Sequence, residues 1–139
     1  MRFSGKVAVI TGAGRGIGEC FAHELAREGA AVALLDTDLD AAQAASAKLV
    51  AEGHSAIALH CDVADERAFD AAAAETAQRL GGIDILVGNA GPHLPHYTKP
   101  VTELPRDMWR RMLDVNVVGI VNGAASCRPL CASAAAASS

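Results

Sequence analysis

The residues best placed to do chemistry stand in one run, Thr11-Gly12-Ala13-Gly14-Arg15-Gly16-Ile17-Gly18. The run leaves an apolar, β-branched segment, Lys6–Thr11, and opens a segment with helical spacing. Glycines at such a turn let the backbone bend sharply and come close to a pyrophosphate. The N-terminus of the following helix adds free N–H groups and a partial positive charge. The common G-x-G-x-x-G spelling fails here: counted from Gly12 its last position is Ile17, and from Gly14 it is Glu19. What fits is G-x-x-x-G-x-G through Gly12, Gly16 and Gly18. No Lys-Ser/Thr pair follows the glycines, so a mononucleotide P-loop is disfavoured. Taken alone, the turn is open to two readings, a phosphate cradle or a glycine-rich turn without a ligand.

Asp36 bears on that choice. It directly follows the apolar run Ala31–Leu35 and stands 18 positions after Gly18. A carboxylate there can accept hydrogen bonds from the hydroxyls of an adenosine ribose. The alternative is that it solvates a strand end or begins to cap the next helix, as Asp38 and Asp40 also could. An acid at this place repels a 2′-phosphate and favours NAD over NADP. Arg15 pulls the other way, because it could pair with that phosphate. A carboxylate at the binding point outweighs a flexible arginine in the turn, so NAD is the expected cofactor and NADP the less favoured one.

Alternating elements position these residues. Lys6–Thr11, Ala31–Leu35, Ile57–Cys61 and Ile83–Gly88 read as strands, apolar at most positions. Between them, Gly16–Glu28 carries Ile17, Phe21 and Leu25 at helical spacing and ends before Gly29. A second helix starts at Asp38 or Asp40 and runs to about Glu52. The third, Asp65–Leu80, has Ala68, Phe69, Ala72 and Ala73 on one side. The order βαβαβαβ predicts an α/β fold with a Rossmann-type parallel sheet and helices on both faces. It is an incomplete one, of four strands and the helix after them. That helix is expected over Thr102–Val121, with Thr102 as cap, Pro105 in the first turn and an apolar side of Met108, Met112, Val115 and Ile120. Trp109 reads as a packing residue. From residue 124 a small-residue stretch with Pro129 predicts an irregular tail, leaving 1–123 as the dinucleotide-binding unit.

Composition narrows the function class. The net charge of −4, with mixed signs, gives no reason to expect nucleic acid or an anionic membrane as partner. No apolar run approaches the roughly 20 residues of a membrane span. The N-terminus moves straight into a strand and reads as carrying no signal peptide, which implies the cytoplasm. Cys20, Cys61, Cys127 and Cys131 form no C-x-x-C pair and read as bland thiols. His93 and His96 flank Pro95 without a third ligand nearby, and no metal site is expected.

Thr11–Gly18, Cys61-Asp62-Val63, Asn89-Ala90-Gly91 and Asn116 together, in order and spacing, resemble the short-chain dehydrogenases/reductases from about Lys6 to about Gly123. The resemblance implies a pyrophosphate cradled by Gly12, Gly16 and Gly18, and an adenine ribose held by Asp36. Asp62 and Val63 would border the adenine, and Asn89, Ala90 and Gly91 would line the nicotinamide-side ribose. Gly14, Arg15 and Ile17 belong to the same turn. Asn116 is similar to the family's helix asparagine, which supports a proton-relay water and would be the one catalytic residue present. Gly88 departs slightly, since the family commonly has a second asparagine there.

A larger departure concerns catalysis. The family's reaction uses a tyrosine with a lysine four residues on, because an unperturbed phenol with a pKa near ~10 is a poor base at neutral pH. The only tyrosine is Tyr97, and four residues later stands Val101, with Lys99 in between. None of Ser126, Ser133, Ser138 and Ser139 follows an apolar strand as the family's serine does. The tail reads as a chain that stops early or is translated out of its ancestral frame. Two functional expectations follow. One is an NAD-dependent oxidoreductase transferring hydride to or from a small alcohol or carbonyl substrate. The other is a catalytically silent NAD-binding fragment. An incomplete sheet also leaves Ile83–Gly88 with an open edge, which predicts self-association.

Overall fold

The structure is a computed structural model that describes residues 1–92 and 98–136, excepting the side chains of residue 129 and residues 131–136. Four parallel strands form the sheet, β1 (Val7–Thr11), β2 (Ala31–Asp36), β3 (Ala56–His60) and β4 (Ile85–Val87), in the order β3-β2-β1-β4. Helices α1 (Gly16–Arg27), α2 (Leu39–Ala51) and α3 (Glu66–Leu80) connect them in turn. α4 (Arg106–Leu113) then passes through a π-helical turn, Asp114–Val118, into α5 (Gly119–Ala136). The expected fold class is present.

Alternate strand residues serve opposite faces, as the pleat requires. Val9, Ala33 and Leu35 pack with Phe69, Ala72 and Ala73 of α3 and Cys127 of α5. Ala8, Ile10, Val32 and Leu34 pack on the other face with Ala22 and Ala26 of α1 and Ala42, Ala45 and Leu49 of α2. This double burial is why β1 and β2 are apolar at nearly every position. The register Thr11↔Leu35 and Ile10↔Val87 brings the C-terminal ends of β2, β1 and β4 to one edge of the sheet. The glycine turn, the segment after Asp36 and the segment of Asn89 all leave from that edge.

Several elements differ from their sequence expectation. The buried side of α1 is Gly18, Ala22 and Ala26, whereas Ile17 is 71% exposed and Phe21 45%. Small residues let the helix sit close on the sheet, so Ile17 and Phe21 turn outward, while Leu25 is half-buried against the same core. β4 is shorter than Ile83–Gly88; just before it the Asp84 carboxylate takes the Val7 N–H at 2.9 Å, and the Asp84 amide donates to the Val7 carbonyl at 2.8 Å. Asp38, not Asp40, caps α2, accepting from the Ala41 amide. Thr102 lies in a 3-10 turn, Val101–Glu103, and Pro105 occupies the N-cap of α4, where its missing N–H costs nothing. Ile120, expected on the apolar side, is 43% exposed, and Trp109 is half-buried.

The tail is the main correction. An irregular segment was expected from residue 124, yet α5 continues to Ala136 through Pro129. Its alanines are good helix formers, and tertiary contacts fix it. Cys127 is buried in the core, Leu130 packs against the same cluster, and Ser126 Oγ donates to Asp70 at 2.6 Å.

Candidate functional site

The glycine turn is built by close backbone approach. Gly12 has φ +63°, and a β-carbon on it would lie 2.9 Å from Ala90 Cα. A β-carbon on Gly18 would lie 2.2 Å from the Gly12 carbonyl oxygen, so only glycine fits there. Thr11 and Asn89 lock this turn to the end of β4. Asn89 Nδ2 donates to the carbonyls of Thr11 and Gly12, both at 3.2 Å, while Thr11 Oγ1 accepts from the amides of Asn89 and Ala90, both at 3.1 Å. At the N-cap of α1, Arg15 makes no side-chain capping bond. The first-turn amides of a 12-residue helix are therefore not capped from within, which suits an anion.

Asp36 stands where the turn meets β2. Its Oδ2 accepts from the Gly14 amide and its Oδ1 from the Asp38 amide, each at 2.9 Å. A carboxylate offers about four lone-pair sites, so two amides leave acceptor capacity for ribose hydroxyls. A β-carbon on Gly14 would lie 3.0 Å from Asp36 Oδ2, so glycine gives that carboxylate its room. The Arg15 guanidinium contacts the Asp38 carboxylate beside it.

An open cavity of about 420 Å³ extends from here along the C-terminal edge of the sheet, within the usual size of a ligand pocket. Gly12, Arg15, Asp36, Asp62, Val63, Asn89, Ala90 and Gly91 all line it. The sequence marks each of these, from segments far apart in the chain. Gly14, Gly16 and Gly18 shape the turn without lining the cavity, and the exposed Ile17 side chain points elsewhere. At one wall Asp62 Oδ1 accepts from the Ala64 amide at 3.0 Å and Oδ2 from Arg111 of α4, also at 3.0 Å. Arg111, Thr37 and Val115 line the cavity as well and were not anticipated. Nothing in the sequence marks Arg111, since its partner is 49 positions away. Next to Asp62, burial pushes the Cys61 thiol up to about 12, and the carboxylates of Asp62 and Asp65 add to the effect. Cys61 is thus a protonated wall residue and not a nucleophile.

Asn116 sits in the π-helical turn, and its Oδ1 is 3.4 Å from where a β-carbon on Gly91 would be. Such turns often mark functional positions, and this one places the Asn116 amide beside the loop after β4. The Asn122 amide ties α5 to the Val63 carbonyl at 2.9 Å. His93, Pro95, His96 and Tyr97 lie outside the described residues. Lys99 is exposed. Among the described residues no cluster of His, Cys, Asp or Glu could hold a metal ion, and no helix is long and apolar enough to cross a membrane.

Residues 6–138 match the family model described as short chain dehydrogenase. The chain belongs to the short-chain dehydrogenase family. It is 43% identical over 119 residues to sorbitol dehydrogenase of Cereibacter sphaeroides, a match covering 86% of this chain and 44% of that relative. It is 40% identical over 119 residues to 2-dehydro-3-deoxy-L-rhamnonate dehydrogenase (NAD(+)) of a Sphingomonas strain, covering 86% of this chain and 45% of that relative. Among solved structures, a metagenomic short-chain oxidoreductase in complex with NADP superposes with a TM-score of 0.87 at 31% identity, covering 96% of this chain and 60% of that one. This short-chain dehydrogenase chain thus spans about half the length of the curated relatives it matches. The family model runs well past Gly123, in agreement with the continuation of α5.

Proposed function

We propose that this chain binds a nicotinamide dinucleotide across the C-terminal edge of its sheet, with NAD preferred over NADP. The observation that carries the reading is the joining of the glycine turn to Asp36 through the Gly14 amide, a bond of 2.9 Å. It sets an anion-binding helix terminus and a ribose-binding carboxylate next to each other. In this reading Gly12, Gly16 and Gly18 shape the turn that cradles the pyrophosphate, with Gly12 at the cavity wall. Asp36 accepts from the adenine ribose, and Asp62 and Val63 border the adenine. Asn89, Ala90 and Gly91 line the second ribose. The bound dinucleotide supplies a hydride donor or acceptor for an alcohol or carbonyl substrate.

Proton transfer is the other half of such a reaction. Asn116, beside Gly91, would orient a water near the reacting end. The sequence pairs its single tyrosine, Tyr97, with Val101 four residues on, so no lysine at that spacing lowers a phenol pKa. That favours a second reading for this polypeptide taken by itself, binding without turnover. Residues 1–123 with α5 would form the binding unit, which would work in the cytoplasm. Among the described residues β4 pairs on one side only, with β1, which supports self-association of the chain.

Replacing Asp36 tests the cofactor assignment. Asp36→Ala is expected to weaken NADH binding about tenfold or more, through the loss of charge-assisted hydrogen bonds to ribose. Equal NADH affinity in the variant and the parent chain would contradict the assignment.

A further inference from the structure

The dinucleotide site contains an arginine that a 2′-phosphate would be expected to use, and the structure shows it already engaged. Arg15 lies in the glycine turn and lines the cavity together with Asp36, Thr37 and Asp38. Its Nη2 contacts Asp38 Oδ2. The position of Asp38 is fixed from two sides. Its backbone amide donates to Asp36 Oδ1 at 2.9 Å, and its other carboxylate oxygen accepts from the Ala41 amide at 3.1 Å as the cap of α2. The carboxylate that meets Arg15 is therefore tied into the ribose-binding end of the site and into a helix terminus at once. At the opposite wall, Arg111 is held by Asp62 at 3.0 Å. Among the described residues lining the cavity, both arginines thus carry a carboxylate partner, and Asp36 is held by backbone amides.

We propose that Asp38 is a specificity-determining residue, which favours NAD over NADP by holding the Arg15 guanidinium away from the 2′-position of the adenosine ribose. The proposal rests on the dinucleotide-binding reading above. Asp36 discriminates by its own charge, which repels a 2′-phosphate. Asp38 discriminates by a different route, because it occupies the guanidinium that would otherwise form paired hydrogen bonds to that phosphate. The Arg15–Asp38 pair is partly open to solvent, with side chains 62% and 47% exposed, so Arg15 is free to swing to a new partner once the acid is neutralised.

The two routes are separable by a mutant cycle. NADH and NADPH are titrated by nicotinamide fluorescence, at one fixed low ionic strength, against the full chain and the variants Asp38→Asn, Arg15→Gln and their combination. Asp38→Ser serves as a second single variant; like Asn, it keeps a side-chain oxygen to cap α2. The measured quantity is the ratio of the NADPH and NADH dissociation constants. It is expected to fall about tenfold in Asp38→Asn and Asp38→Ser, and by less than about twofold when Arg15 is already Gln. A ratio that does not fall in the single variants overturns the proposal. So does an equal fall in both Arg15 backgrounds, since that would leave repulsion by Asp38 as the whole effect. A parent chain that binds neither dinucleotide overturns the binding reading itself, and this proposal with it.

Discussion

Cys61 shows how a single residue's environment decides its chemistry. It directly follows β3, next to Asp62, on the wall of the cavity, where a reactive thiol would invite a catalytic role. Burial, together with Asp62 and Asp65, instead raises its pKa from 9.0 to about 12. The folded protein therefore keeps the proton that the unfolded chain releases, so the stability that depends on this thiol is complete below pH 9 and is lost as pH rises towards 12. Urea midpoints measured from about pH 8 to about pH 11 should fall more steeply for the parent chain than for Cys61→Ala. Parallel curves would show that the thiol does not titrate in this way. At this scale the sequence was most informative where chemistry is local. The G-x-x-x-G-x-G spacing and Asp36 at a strand end declare themselves by residue type and distance along the chain. Arg111 and the Arg15–Asp38 contact did not, because each depends on segments that only the folded sheet brings together.

Elements were legible where periodicity was strong and less so at their edges and faces. The strands and the first three helices follow from apolar runs and caps. The choice of buried face on α1 did not, since Gly18, Ala22 and Ala26 carry little hydrophobic signal and win by being small. α5 was missed for a related reason. An Ala- and Ser-rich stretch has weak amphipathic contrast, and what holds it is tertiary: Cys127 in the core, and Asn122 and Ser126 bonded across to the Val63 carbonyl and to Asp70. Gly123 gives a test of that packing. A β-carbon there would lie 2.9 Å from Phe69 Cζ and 3.0 Å from Leu86 Cδ2. Gly123→Val should destabilise the chain by about 1–3 kcal/mol in urea unfolding, as overpacking of a core does. A neutral substitution would mean that α5 is not seated on α3 and β4 as described.

At the scale of the whole molecule, strand order and layer arrangement follow from right-handed crossovers between buried parallel strands, and both were readable in outline. What the sheet order adds is the position of β4, a three-residue strand that among the described residues pairs on one side only, with β1. Exposed apolar side chains lie on α5, which packs against β4, with Ile120 43% and Val121 60% accessible. An open edge beside apolar surface predicts that the purified chain sediments as species larger than a monomer at micromolar concentration. A single monomeric boundary under those conditions would refute this. The same sheet edge also unites the glycine turn, Asp36, Asp62 and Asn89 into one cavity, which is the basis of the binding assignment.

That assignment is most directly tested by titrating NADH fluorescence against the full chain, beside a Gly18→Ala variant whose added β-carbon would meet the Gly12 carbonyl oxygen at 2.2 Å. The account predicts saturable binding to the parent chain and affinity at least about tenfold weaker in the variant. Absence of binding up to millimolar NADH, or equal binding by the two proteins, would contradict it.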